Sequence, residues 1–119
     1  MAVNEEYRQL EIAAELEELA RTLAHSTRDV PHPRDSHSML GELRATVDHL
    51  AQVCNQLAAW HKRTVDGTHY EGEDGDQTDS AHLAGRDLTD AAKALGQASS
   101  ALGAAHSKNS VVRWYPDPQ

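Results

Sequence analysis

Eight histidines stand in this 119-residue chain, and theirs is the first chemistry to consider. Helical metal sites pair imidazoles four residues apart, or set a glutamate three residues before a histidine. Both spacings put two donors on one helical face. Neither spacing occurs here. The nearest approximations are His32 with His37 across a proline-containing stretch, and the aspartate pairs Asp66/His69 and Asp79/His82. Histidines so dispersed are expected to be solvated. His61 is the exception, because it continues the apolar spacing of its segment and is expected to be partly buried and hydrogen-bonded. No metal and no cofactor is expected.

The carboxylates give a similar answer. The segment 66–79 carries six acidic residues, three glycines and no lysine or arginine. It has the donors of a calcium loop but lacks the D-x-[DN]-x-[DN]-G order and the glutamate at the twelfth position. Glu15/Glu18 forms an E-x-x-E pair, and Glu71/Asp74 and Glu73/Asp76 form E-x-x-D pairs. All-α nucleotide pyrophosphohydrolases hold magnesium with such pairs. Here the second set falls in a glycine-rich loop, so the pairs are not expected to face each other across a rigid cleft. Cys54 lies on an apolar stripe, where a thiol behaves as a small hydrophobe. Nucleophile elbow, phosphate-cradling loop and dinucleotide fingerprint are all missing from the sequence. The chain is therefore expected not to be an enzyme, with no catalytic residue to assign.

One short pattern invites a family comparison. Tyr70 to Asp74 matches the Y-x-x-x-[DE] signal of the small WxG-type substrates of type VII secretion, which are helical, alanine-rich and dimeric. Trp60, however, is followed by His61 and Lys62 rather than by a W-x-G turn, and Tyr70 sits mid-chain. The chain is not assigned to that family.

Composition bounds the rest. At 13.0 kDa the chain is expected to form a single domain over residues 1–119. Aromatic residues make up 4% and phenylalanine is absent, so alanine and leucine must fill the core. That favours closely spaced helices over a sandwich or barrel. The net charge of −8, with its arginines and lysines scattered, argues against direct nucleic-acid binding. Arginine in excess of lysine, with much alanine, suggests a GC-rich bacterial or phage source. With a single cysteine, no apolar run long enough to span a membrane and no signal sequence, the expected location is cytoplasmic.

The elements follow from period and punctuation. The spacing predicts three long helices at about 4–26, 38–64 and 80–107, forming an elongated antiparallel all-α bundle. A mobile acidic loop (66–79) and an irregular tail (110–119) complete it. Asn4 with Glu5 and Glu6 suits the first helix start, and Ile12, Leu16, Leu19 and Leu23 form its stripe. Pro31 and Pro33 separate it from the second helix, which Asp35, Ser36 or Ser38 can cap. That helix carries Leu40, Leu43, Val47, Leu50, Cys54 and Leu57 at heptad spacing, with Met39, Val53 and Trp60 beside them. Thr78, Asp79 or Ser80 can cap the third.

The third helix is the most regular. Ala81, Ala84, Leu88, Ala91, Leu95, Ala98, Leu102 and Ala105 keep an unbroken three-four spacing, the pattern of a coiled-coil seam. Gly85, Ala92, Gly96, Ser99 and Gly103 form a second stripe of small residues beside it. The alanine–leucine stripe is expected to pack on the second helix. The small stripe is expected to receive the first helix or a second copy of the chain. Trp114 and Tyr115, two of the five aromatics, either clamp the tail or dock a partner.

These features define a non-enzymatic helical interaction or scaffold protein. Its expected partners are a second copy, with a dimer favoured, or another protein bound through a helix face. The interface candidates are Gly85, Ala92, Gly96, Ser99, Gly103, Trp114 and Tyr115. The alternative is an acidic adaptor or inhibitor, a nucleic-acid mimic for instance, that binds a basic protein. A metal-dependent all-α enzyme ranks below both.

Overall fold

The computed structural model describes residues 7–75 and 79–117. The fold is all-α. It comprises α1 (Gln9–Ser26), α2 (Asp35–Lys62) and α3 (Ser80–Asn109). None of these helices is long and apolar enough to cross a membrane. The expected start at Asn4 lies outside the described residues. The helix α2 begins three residues earlier than expected, because the Asp35 N–H closes a turn on His32 O at 2.9 Å and its carboxylate sits in the first turn. It ends at Lys62, where Arg63 and Thr64 N–H groups turn back to Trp60 and His61 carbonyls.

The chain divides into two compact units. One takes α1 as far as Asp35 together with the tail from Trp114, and the other spans Ser36–Arg113. Within the first, α1 is stitched along its surface by Arg8 to Glu11 (3.4 Å) and Arg21 to Glu17 (3.2 Å). Such exposed pairs contribute about 0.3–0.5 kcal/mol each at most. Thr27 stops the helix by turning both its N–H and its hydroxyl onto Leu23 O. The tail is tied to the proline stretch by His32 Nδ1 and Asp117 Oδ1 at 3.0 Å.

The second unit is an antiparallel hairpin of α2 and α3. Its register is fixed by contacts from end to end. Asn109 donates to Ser36 Oγ (3.0 Å), Arg44 to Ser99 Oγ (3.3 Å) and Lys62 to Thr89 Oγ1 (3.2 Å). The seam of α3 differs from the expected one. Its buried residues are Gly85, Ala92 and Ser99, seven apart, with Leu88, Leu95 and Leu102, each three residues further on, half-buried. Ala98 and Ala105, members of the expected alanine–leucine seam, are exposed. The leucines are thus shared by both patterns, and the small residues on their other flank face α2.

The reason is close approach. A Cβ built on Gly85 would lie 3.0 Å from the Ala58 carbonyl oxygen and 2.8 Å from Lys62 Cγ. Ala58 is itself only 3% exposed. On α2 the same rotation exposes Leu57 and turns Ala58 inward. Small residues on both helices let the backbones meet, and the larger side chains flank the seam instead of filling it.

Two glycines of α3 should therefore respond in opposite ways. Gly96 has open space around its Cβ position, so Gly96→Ala should stabilise the hairpin by about 0.5–1 kcal/mol through helix propensity. Gly85→Leu meets the Ala58 backbone and should destabilise by about 1–3 kcal/mol. Urea denaturation followed by far-ultraviolet circular dichroism checks both signs.

Candidate functional site

Of the interface candidates, Gly85, Ala92 and Ser99 are buried inside the hairpin, and Gly103 lies under the Arg44 guanidinium. Gly96 is exposed. Trp114 is 41% and Tyr115 63% exposed. The three buried ones belong to the α2 contact, and Trp114 and Tyr115 belong to the unit that contains α1.

Most of the histidines and some of the carboxylates have structural partners. Among the described residues no group of three or more histidine, cysteine, aspartate or glutamate side chains is placed to hold a metal ion. His32 meets Asp117, while His37 stacks on His106 with ring centroids 4.0 Å apart. Glu15 lies 3.8 Å from Arg8 Nη2 on exposed α1. Asp76, half of one acidic pair, lies outside the described residues. Cys54 is half-buried on α2.

Chemistry does converge where the hairpin turns. A cleft of about 330 Å³ is lined by Trp60, His61, Thr64, His69, Tyr70, Gly72, Glu73, Ser80 and Ala81. It opens between the end of α2, the acidic loop and the start of α3. Each wall is held by a specific bond. Trp60 is 44% exposed and stands nearly perpendicular to two imidazoles, with centroids 4.9 Å from His61 and 6.3 Å from His69. His61 is fixed by Nδ1 on Leu57 O at 2.7 Å. Since a carbonyl can only accept, Nδ1 carries the proton, and in the neutral ring Nε2 carries the lone pair. His69 is fixed in the opposite sense: its Nδ1 accepts the Val65 N–H at 3.0 Å, leaving its proton on Nε2. Thr64, 6% exposed, donates to His61 O and so joins the two rings' supports.

The acidic loop closes on itself. Gly67 N–H reaches Tyr70 O at 2.7 Å, and Gly72 N–H reaches Asp66 Oδ1 at 3.0 Å. Gly67 and Gly72 take positive φ values of 88° and 62°, which glycine adopts without a side-chain clash. The carboxylates thus serve as acceptors for loop backbone, beyond the solvated role expected of them. Partial burial, and then the charges of Asp66, Glu73 and Asp79, hold the Tyr70 phenol above the usual tyrosine range.

The cap of α3 also departs from expectation. Asp79 stands at the cap position with φ 61° and makes no side-chain cap bond. Thr78 lies outside the described residues. The acceptor is Glu73, seven residues upstream, whose Oε1 takes the Ser80 N–H at 2.9 Å. Hydrogen bonds from the Ser80 hydroxyl, the Ser80 backbone and then the Ala81 backbone hold the Glu73 carboxyl below the usual carboxylate range. Sequence spacing pointed to the residues next to the helix. The glycines at 67 and 72 were the available signal that the loop folds back and brings a distant carboxylate to the helix start.

Ionised Glu73 accordingly favours the folded loop. Its folded-state pKa is depressed, so this stabilisation is complete above the ordinary glutamate value of about 4.3 and is lost as pH falls through the lower folded value. A carboxyl-carbon NMR titration should give Glu73 a midpoint below that value, with the Ser80 and Ala81 amides titrating in step. In Glu73→Gln that acid transition should vanish. No family model, curated protein or solved structure matches the chain, and its function is read from this geometry alone.

Proposed function

We propose that this protein is a non-enzymatic helical interaction module that associates with itself through uncovered helix faces. One observation carries the reading. The buried residues among those described are Ala58, Thr64, Gly85, Ala92 and Ser99, none larger than threonine. Large apolar side chains remain open to solvent alongside them. No residue of α1 is buried, Leu10 and Leu19 are 85% and 70% exposed, and Val53, Leu57 and Leu83 stand exposed on the hairpin. Amphipathic helices gain most of their stability from covering such a stripe. A second copy supplies complementary stripes at the same heptad spacing, and most soluble oligomers are symmetric homo-oligomers.

Sedimentation equilibrium up to high micromolar concentration tests the proposal. The weight-average mass should rise above 13.0 kDa toward a dimer. Leu19→Glu and Gly96→Leu, both at open positions, should keep the helical circular dichroism while weakening association by roughly tenfold or more, a loss of about 1.4 kcal/mol. A wild-type chain that stays strictly monomeric overturns the reading.

A further inference from the structure

Independently of self-association, we infer that the cleft at the hairpin turn receives a cationic side chain, the guanidinium of an arginine in a basic segment of a partner protein. Four features of the cleft select that chemistry.

The first is a prepared aromatic face. Trp60 is nearly half exposed, and its indole plane stands nearly perpendicular to the rings of His61 and His69, each of which is bonded to backbone. A planar cation stacking on it meets a surface that loses little freedom on binding, and tryptophan offers the strongest ring for a cation. The second is acceptor capacity. With Nδ1 committed to Leu57 O, His61 keeps Nε2 as the ring nitrogen that can accept, and Tyr70, whose phenol oxygen can also accept, lines the same cleft.

The third is the sign of the field. Asp66, Glu71, Glu73, Asp74 and Asp79 belong to the loop that forms one wall, and the raised Tyr70 phenol senses three of them. Two cations, Lys62 and Arg63, stand at the end of α2, and the first is directed elsewhere, its Nζ on Thr89 Oγ1 and its stem over Gly85. The fourth feature excludes an anion. A free helix N-terminus would attract a negative ligand, but Glu73 already occupies the start of α3. An apolar ligand gains nothing from the surrounding charge. Arginine matches planarity, charge and donor pattern together.

The test is a titration of the ¹⁵N-labelled full chain with N-acetyl-arginine-methylamide, read at the Trp60 indole N–H and the Tyr70, Gly72 and Ser80 amides. Saturable shifts confined to these signals are expected, with affinity falling as salt is raised. The neutral isostere N-acetyl-citrulline-methylamide should bind at least tenfold more weakly. Asp66→Asn keeps the acceptor for Gly72 N–H and removes one charge, and should weaken binding a few-fold. Trp60→Phe keeps a ring with a poorer cation face and should do the same. Equal response to citrulline, shifts that do not saturate, or affinity unchanged in both variants overturns the proposal.

Discussion

The backbone contact between α2 and α3 at Gly85 and Ala58 is the constraint on which the rest of the hairpin depends. Where a Cβ would lie only 3.0 Å from a carbonyl oxygen, no residue but glycine fits without movement. The heptad neighbours of Gly85 are Ala92 and Ser99, also small and also buried, so the close approach persists for two further heptads. The seam is narrow and contributes little apolar area at about 25 cal/mol per Å². It gains instead from dense contact and from side chains laid over it. The Arg44 guanidinium covers Gly103 and its Nε bonds Ser99, while the Lys62 stem covers Gly85. Long basic side chains here serve as packing material as much as charge.

That narrow seam has a consequence for the surface. Leucines that flank a seam are covered on one side only, and Leu88, Leu95 and Leu102 are all half-buried. The hairpin is held at its open end by the Asn109–Ser36 bond and the stacked His37–His106 rings, and at its turn by Lys62–Thr89. These are directional contacts that fix register. They leave apolar side chains on its flanks.

The loop links this architecture to the candidate site. Asp66 and Glu73 each accept from backbone that would otherwise lack a partner, and both bonds span more than five residues. The loop is thereby drawn against the end of α2, and Tyr70 and His69 are brought to the exposed indole of Trp60. One carboxylate does two jobs: Glu73 caps α3 and keeps its positive end from recruiting an anion. Charge of one sign accumulates there as a by-product of closing the loop with acidic side chains.

The sequence by itself determined the fold class, the three helices and the presence of small residues on one face of α3. Periodicity and proline placement are local properties, and they act before any helix meets another. It also marked Trp60, His61 and the acidic loop as separate features. Tertiary structure decided which side of α3 faces α2, because the expected and the observed seams share the same leucines and differ in the small residues beside them. That choice rests on how closely two backbones can approach, which spacing does not encode. It also decided that Glu73, and not a residue adjacent to the helix, caps α3. That outcome depends on two glycines at positive φ returning the loop to its origin. The cleft exists only because that return sets Tyr70 and Glu73 beside Trp60, at a distance along the chain that no local pattern records.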